Sequence, residues 1–113
     1  MKHIDLQLRL TFYSGKQVES GTFGKGVSTL LRGVEKYGSL NASAKKIRMA
    51  YSKAWRIVKE TEAGFGFNLI DRNGARGSEL TPEGKKLLEA YEELEALGND
   101  FLAAKFKELV IDK

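Results

Sequence analysis

A mainly α-helical domain with a small β component is what this sequence predicts, on three observations. Residues 39–59 read as two short helices joined by a tight turn. Directly after them, an Asn73-Gly74 turn signal lies between two short strand-like stretches. From Thr81 onward, a helix-start signature leads into an amphipathic stretch that reaches almost to the C-terminus.

The helix pair comes first because the rest is arranged around it. Ser39 suits an N-cap, since its hydroxyl can accept from the free amides of a first helical turn. Leu40, Ala44 and Ile47 then share a face at helical spacing, and Arg48-Met49-Ala50 forms the turn. A second helix starts at Tyr51 and runs over about 51–63. Its apolar stripe is Tyr51, Ala54, Trp55 and Val58, and its other face carries Ser52, Lys53, Arg56 and Lys59. An apolar back and a basic, hydrogen-bonding front are what a helix needs if it is held to a domain while its outer face enters a major groove.

The remaining elements follow in chain order. Ile4, Leu6, Leu8, Leu10 and Phe12 alternate with Asp5, Gln7, Arg9 and Thr11, a period-2 strand with one buried face. A turn at 13–16 and a return strand over Gln17 to Ser20 make this an N-terminal hairpin. Gly21 to Gly26 is a connector without the Lys-Ser/Thr ending of a phosphate-cradling loop. Val27, Leu30, Leu31, Val34 and Tyr37 recur at helical spacing up to Gly38, a C-terminal stop. After the helix pair, residues 64–67 break the helical pattern. Residues 68–72 and 79–81 are short strands around a tip at 73–78, so that the hairpin spans about 69–81. Thr81 as N-cap, Pro82 at the first helical position and Glu83 open the last helix. Its stripe is Leu87, Leu88, Tyr91, Leu94 and Leu97; Gly98-Asn99-Asp100 either ends or kinks it, and Phe101, Leu102, Phe106 and Leu109 resume the apolar face. The whole is a winged helix-turn-helix with an N-terminal β-hairpin and a long C-terminal helix. Residues 1–82 form the domain and 83–113 a dimerisation arm. Leu87, Leu88, Tyr91, Leu94, Phe101 and Leu102 are the predicted dimer contacts, because a helix projecting from a small domain cannot cover such a stripe alone. The competing arrangement folds that stripe back onto the N-terminal hairpin.

Composition narrows the function. Residues 1–82 hold 14 Lys/Arg against 7 Asp/Glu and residues 83–113 hold 5 against 8, so the basic half carries the helix pair and the acidic half is the arm. That asymmetry fits a polyanion-binding head, although charge alone also fits solvated surfaces. With no cysteine, neither disulfides nor a zinc-cysteine site contributes. One histidine at the chain start, no nucleophile–base pairing and no carboxylate cluster argue against an enzyme, a metal site or a cofactor. The start alternates instead of forming the apolar core of a signal peptide, and no run approaches a membrane span, so a cytoplasmic protein is expected.

The chain resembles the N-terminal DNA-binding domain of the molybdate-responsive ModE regulators and their stand-alone relatives, a winged helix-turn-helix group close to the LysR type. The matching residues lie within 24–95: Gly38-Ser39-Leu40 with Ala42 and Ala44, Tyr51-Ser52-Lys53-Ala54-Trp55, Leu69 to Arg72, Leu80-Thr81-Pro82-Glu83-Gly84, and Leu87-Leu88. The resemblance implies a dimer whose N- and C-terminal segments pack together and present both recognition helices to one duplex. Two departures stand out. Arg48 occupies a turn position usually held by glycine, where a left-handed backbone costs arginine about 1 kcal/mol. The wing is also poorer in glycine than the family's. The family's molybdate-binding domains have no counterpart in 113 residues, so molybdate binding is not expected.

The function predicted is sequence-specific binding of double-stranded DNA by a homodimeric transcriptional regulator. Lys53 and Arg56 are the candidates for base edges, arginine because its fork matches guanine. Ser52 and Lys59 are candidates for phosphate, as are Ser39, Asn41, Lys45 and Lys46 on the first helix of the pair, and Tyr51 through its hydroxyl. Arg72 and Arg76 are the wing candidates, on flanking backbone or in the minor groove. Trp55 is assigned to core packing by its place in the stripe. The alternatives are a winged-helix protein-interaction module and a non-specific architectural DNA-binding protein. RNA is a weaker fit, since no aromatic pair is placed to stack unpaired bases.

Overall fold

The computed structural model describes residues 3–15, 21–72 and 77–111. Four α-helices and one two-stranded hairpin follow in the order α1 (Lys25–Tyr37), α2 (Leu40–Lys46), α3 (Tyr51–Phe65), β1 (Ile70–Arg72), β2 (Ser78–Leu80) and α4 (Pro82–Phe106), with a π-helical turn at Lys107–Ile111. The helix limits have local causes. Gly38 caps α1 in the left-handed region at φ 88°, its N–H donating to Val34 O. Ser39 caps α2, its hydroxyl accepting from Ala42 N at 3.0 Å. Thr81 caps α4 by accepting from Gly84 N at 2.9 Å, with Pro82 in the first turn. α3 runs on to Phe65, two residues past the expected end, and is stopped by Gly66 at φ 83°.

One core holds these elements together. α1 contributes Val27, Leu30, Leu31 and Val34, α2 Leu40 and Ala44, and α3 Ala54 and Val58. The remainder is Phe23, Leu69, Ile70 and, from α4, Leu88 and Tyr91. The start of α4 is thus built into the same core as the helix pair. Arg32 of α1 adds a two-pronged contact to Glu92 of α4, Nε donating to Oε2 at 3.0 Å and Nη2 to Oε1. The Arg32 hydrogen bond holds the Glu92 carboxyl below its usual range, against an opposing effect of burial. A carboxylate with a lowered folded-state pKa contributes above its unfolded pKa, and the contribution is lost as pH falls through the folded value. Both side chains are more than a third exposed, so screening limits the effect. Glu92→Gln is expected to cost less than about 1 kcal/mol at neutral pH and nothing in acid, measured by urea unfolding at both pH values.

The N-terminal prediction needs correction. The alternation holds from Leu6 onward: Leu6, Leu8, Leu10 and Phe12 are half-buried while Asp5, Gln7, Arg9 and Thr11 are exposed, but Ile4, expected on the buried face, is exposed. Yet no strand forms in residues 3–15; a single antiparallel pair of hydrogen bonds joins Phe12 to Phe23, at 2.8 and 2.9 Å. The expected return strand at 17–20 lies outside the described residues. The inner face of this segment rests on α4: Tyr91 donates its hydroxyl to Leu10 O at 2.9 Å, and Leu8 N donates to Asn99 Oδ1 at 3.1 Å. Gly98-Asn99-Asp100, beside this contact, does not end α4, which continues through to Phe106. A Cβ at Gly98 would lie 2.5 Å from Leu8 Cδ2, so glycine there makes room for the N-terminal segment.

The turn of the helix pair is left-handed at Arg48, with φ 58°. Arg48 N and Met49 N close α2 by donating to Lys45 O and Ala44 O. A non-glycine residue in this region is strained. Arg48→Gly is therefore expected to raise unfolding free energy by about 1 kcal/mol. A lower urea midpoint in that variant would show that the arginine makes compensating contacts.

Candidate nucleic-acid interface

Three elements converge on one surface. α2 and α3 form the helix pair, and the β1–β2 hairpin stands beside α3 as a wing. Its register is Ile70 with Leu80, Asp71 with Glu79, and Arg72 with Ser78. The loop end of β2 is tied to the α1–α2 junction: Ser78 N donates to Gly38 O at 2.9 Å. Gly77, at φ 95°, sits so close that a Cβ would lie 2.3 Å from Gly38 O. On the other side, the Glu62 carboxylate of α3 accepts from Leu69 N at 2.7 Å and Ile70 N at 3.3 Å. The wing is thus fixed to both helices of the pair.

Between them lies an open cleft of about 510 Å³, lined by Ser39, Leu40, Asn41, Tyr51, Arg72, Gly77 and Ser78. It brings together four of the predicted site residues, Ser39, Asn41, Tyr51 and Arg72. Ser52, Lys53, Arg56 and Lys59 are exposed along α3, and Lys45 and Lys46 along α2. Neither Lys53 nor Arg56 takes part in an ion pair among the described residues. Lys59 is more committed: its ammonium lies 3.1 Å from Glu62 Oε1, an ion-pair contact rather than an aligned hydrogen bond. Lys46 sits 5.5 Å from the Tyr37 ring centre. Arg76 lies outside the described residues.

Trp55 is where the sequence reading departs most from the structure. The buried face of α3 is Ala54, Val58, Thr61 and Glu62, with Ile57 and Phe65 partly buried beside it. Trp55 is 39% exposed, and Tyr51, one turn earlier, is exposed too. The indole belongs to the wing-facing flank of α3, with Lys59 5.5 Å and Arg72 5.3 Å from its ring centre. Lys59 four residues on was a detectable signal, since that spacing places the two side chains on one flank.

The predicted dimer contacts divide in the same way. Leu88 and Tyr91 are core residues of the single chain, Tyr91 with Phe12 and Phe23 packed on its ring, and Leu87 is half-buried against the core. Leu94, Phe101 and Leu102 are exposed, as are Leu97 and Leu109.

Among known families, the bacterial regulatory helix-turn-helix proteins of the lysR family match residues 29–85, half of the chain. The chain belongs to the LysR family. This LysR-family domain is also similar in fold to the crystal structure of the CbnR_DBD–DNA complex. The TM-score is 0.58 and the identity 23%, over 76% of this chain and 94% of that one. The crystal structure of CbnR, a LysR family transcriptional regulator, matches with a TM-score of 0.57 and 26% identity. The match covers 73% of this chain and only 29% of CbnR, so the shared part is less than a third of that regulator. No curated protein matches by sequence. The LysR-type part of the family resemblance stands, and the narrower ModE assignment receives no support from these matches. Among the described residues no His/Cys/Asp/Glu group suits a metal ion, and no helix is long and apolar enough to cross a membrane.

Proposed function

We propose that this LysR-family chain binds double-stranded DNA sequence-specifically as the dimeric DNA-binding unit of a cytoplasmic transcriptional regulator. α3 lies in the major groove and the wing lies on the flanking backbone or minor groove. The observation that carries the reading is the outer face of α3, where Ser52, Lys53 and Arg56 are exposed and the two cations have no acidic partner among the described residues. Long donors left free on the second helix of such a pair suit base edges, and the adjoining cleft with Ser39, Asn41, Tyr51 and Arg72 suits the sugar-phosphate strand. Family membership and a neighbour solved with DNA support the same reading. For the dimer, the support is the uncovered stripe Leu94, Leu97, Phe101 and Leu102 on a helix that carries the molecule to 58 Å in its longest dimension.

The test is selection from a random duplex pool across a salt series. An inverted repeat with a steep inverse salt dependence is expected. Arg56→Ala is expected to weaken binding to the selected site by about 1–3 kcal/mol. Unchanged affinity would remove Arg56 from the base contacts, and recovery of no preferred sequence would point to an architectural role.

A further inference from the structure

We propose that Trp55 reads a thymine methyl group in the major groove, in a setting held by Arg72 and Lys59; the inference rests on the DNA-binding reading above. A single exposed apolar residue is ordinary on a protein surface. This one is not isolated. Two cations from different elements, Lys59 on α3 and Arg72 on β1, converge on its ring at 5.5 and 5.3 Å. Lys59 also pairs with the buried Glu62 carboxylate at 3.1 Å, whereas Arg72 takes part in no ion pair among the described residues. The result is an apolar surface set between two positive charges, on the helix that faces the groove and beside the wing that flanks it.

That pattern has a specific complement. A duplex offers phosphates for the cations, and the apolar group on the major-groove base edges is the C5-methyl of thymine. Stacking an unpaired base on the indole is the other chemistry open to tryptophan. The cations already lie over the ring, and a stacked base would displace one of them. A methyl group needs only the rim. Arg72 gains from the same arrangement: cation–π contact restricts a long side chain that otherwise projects from an exposed strand, and so places its charge before DNA arrives.

The experiment uses the full chain and a selected duplex in which each thymine is replaced, one at a time, by deoxyuridine. Only the methyl is lost. At one position per half-site the wild-type protein is expected to bind about four-fold more weakly. Trp55→Ala, a change at an exposed site, is expected to bind more weakly than wild type and to be indifferent to that methyl. Trp55 is the only tryptophan in the chain, so its fluorescence reports on the unmodified protein. Acrylamide quenching should fall in the thymine complex and recover partly in the deoxyuridine one. Sequence-selective binding indifferent to every methyl would overturn the proposal and leave the DNA-binding reading intact. So would equal methyl sensitivity in wild type and Trp55→Ala, whereas a preference for single strands would overturn both readings. Failure to select any sequence would overturn both.

Discussion

Glu62→Ala is expected to lower the unfolding free energy by about 3 kcal/mol, a large loss for one side chain in a small domain. Glu62 lies on the inner face of α3 and is 6% exposed. Its Oε2 accepts from the amides of Leu69 and Ile70, where the chain leaves the turn after α3 and enters β1. Lys59 supplies the positive charge on the other oxygen. Alanine would leave two buried amides without an acceptor and release Lys59. Glu62→Gln keeps one oxygen but turns a donor toward either an amide or the ammonium, so about half the loss is expected. Urea unfolding of the three proteins decides it, and a loss below about 1 kcal/mol in the alanine variant would mean that water replaces the carboxylate. The functional consequence follows from position. The carboxylate fixes the wing relative to α3, so DNA affinity should fall in the alanine variant even where it remains folded.

The same residue shows why the face of α3 was hard to read. Two stripes at helical spacing overlap on this helix. One holds Tyr51, Ala54, Trp55 and Val58; the other holds Ala54, Ile57, Val58, Thr61 and Glu62. Sequence reasoning favours the stripe with the large aromatics. The buried face includes a threonine and a glutamate, and what makes their burial tolerable is distant in sequence: Thr61 Oγ1 donates to Thr22 O, and Glu62 meets the start of β1. Local signals fared better where their cause is local. Gly38, Ser39, Thr81 and Pro82 mark helix limits through their own backbone chemistry, and the wing follows from Asn-Gly between short apolar stretches. The N-terminal alternation was legible as one buried face, but a period of two does not say whether that face meets a strand or a helix. Here it meets α4.

Tyr91→Ala should unfold the chain, whereas changes further along the same helix should not. Tyr91 is 1% exposed. Its ring packs on Phe12 and Phe23, each at 5.5 Å between centroids, and its hydroxyl is spent on Leu10 O. Truncating a fully buried aromatic costs about 3–5 kcal/mol. Tyr91→Phe removes only the hydrogen bond, at about 1 kcal/mol, and should raise amide exchange in residues 4–12 more than in α1. Leu94 and Phe101 are 48% and 62% exposed, so Leu94→Asp or Phe101→Asp should leave the fold intact and weaken only self-association, read by sedimentation. The apolar stripe of α4 therefore divides: its first turns close the core, and its later turns stay exposed, where the proposed dimer contact would fall. If Tyr91→Ala changed sedimentation while leaving the thermal midpoint of a dilute sample where it was, that division would be wrong and the N-terminal segment would not be part of the core.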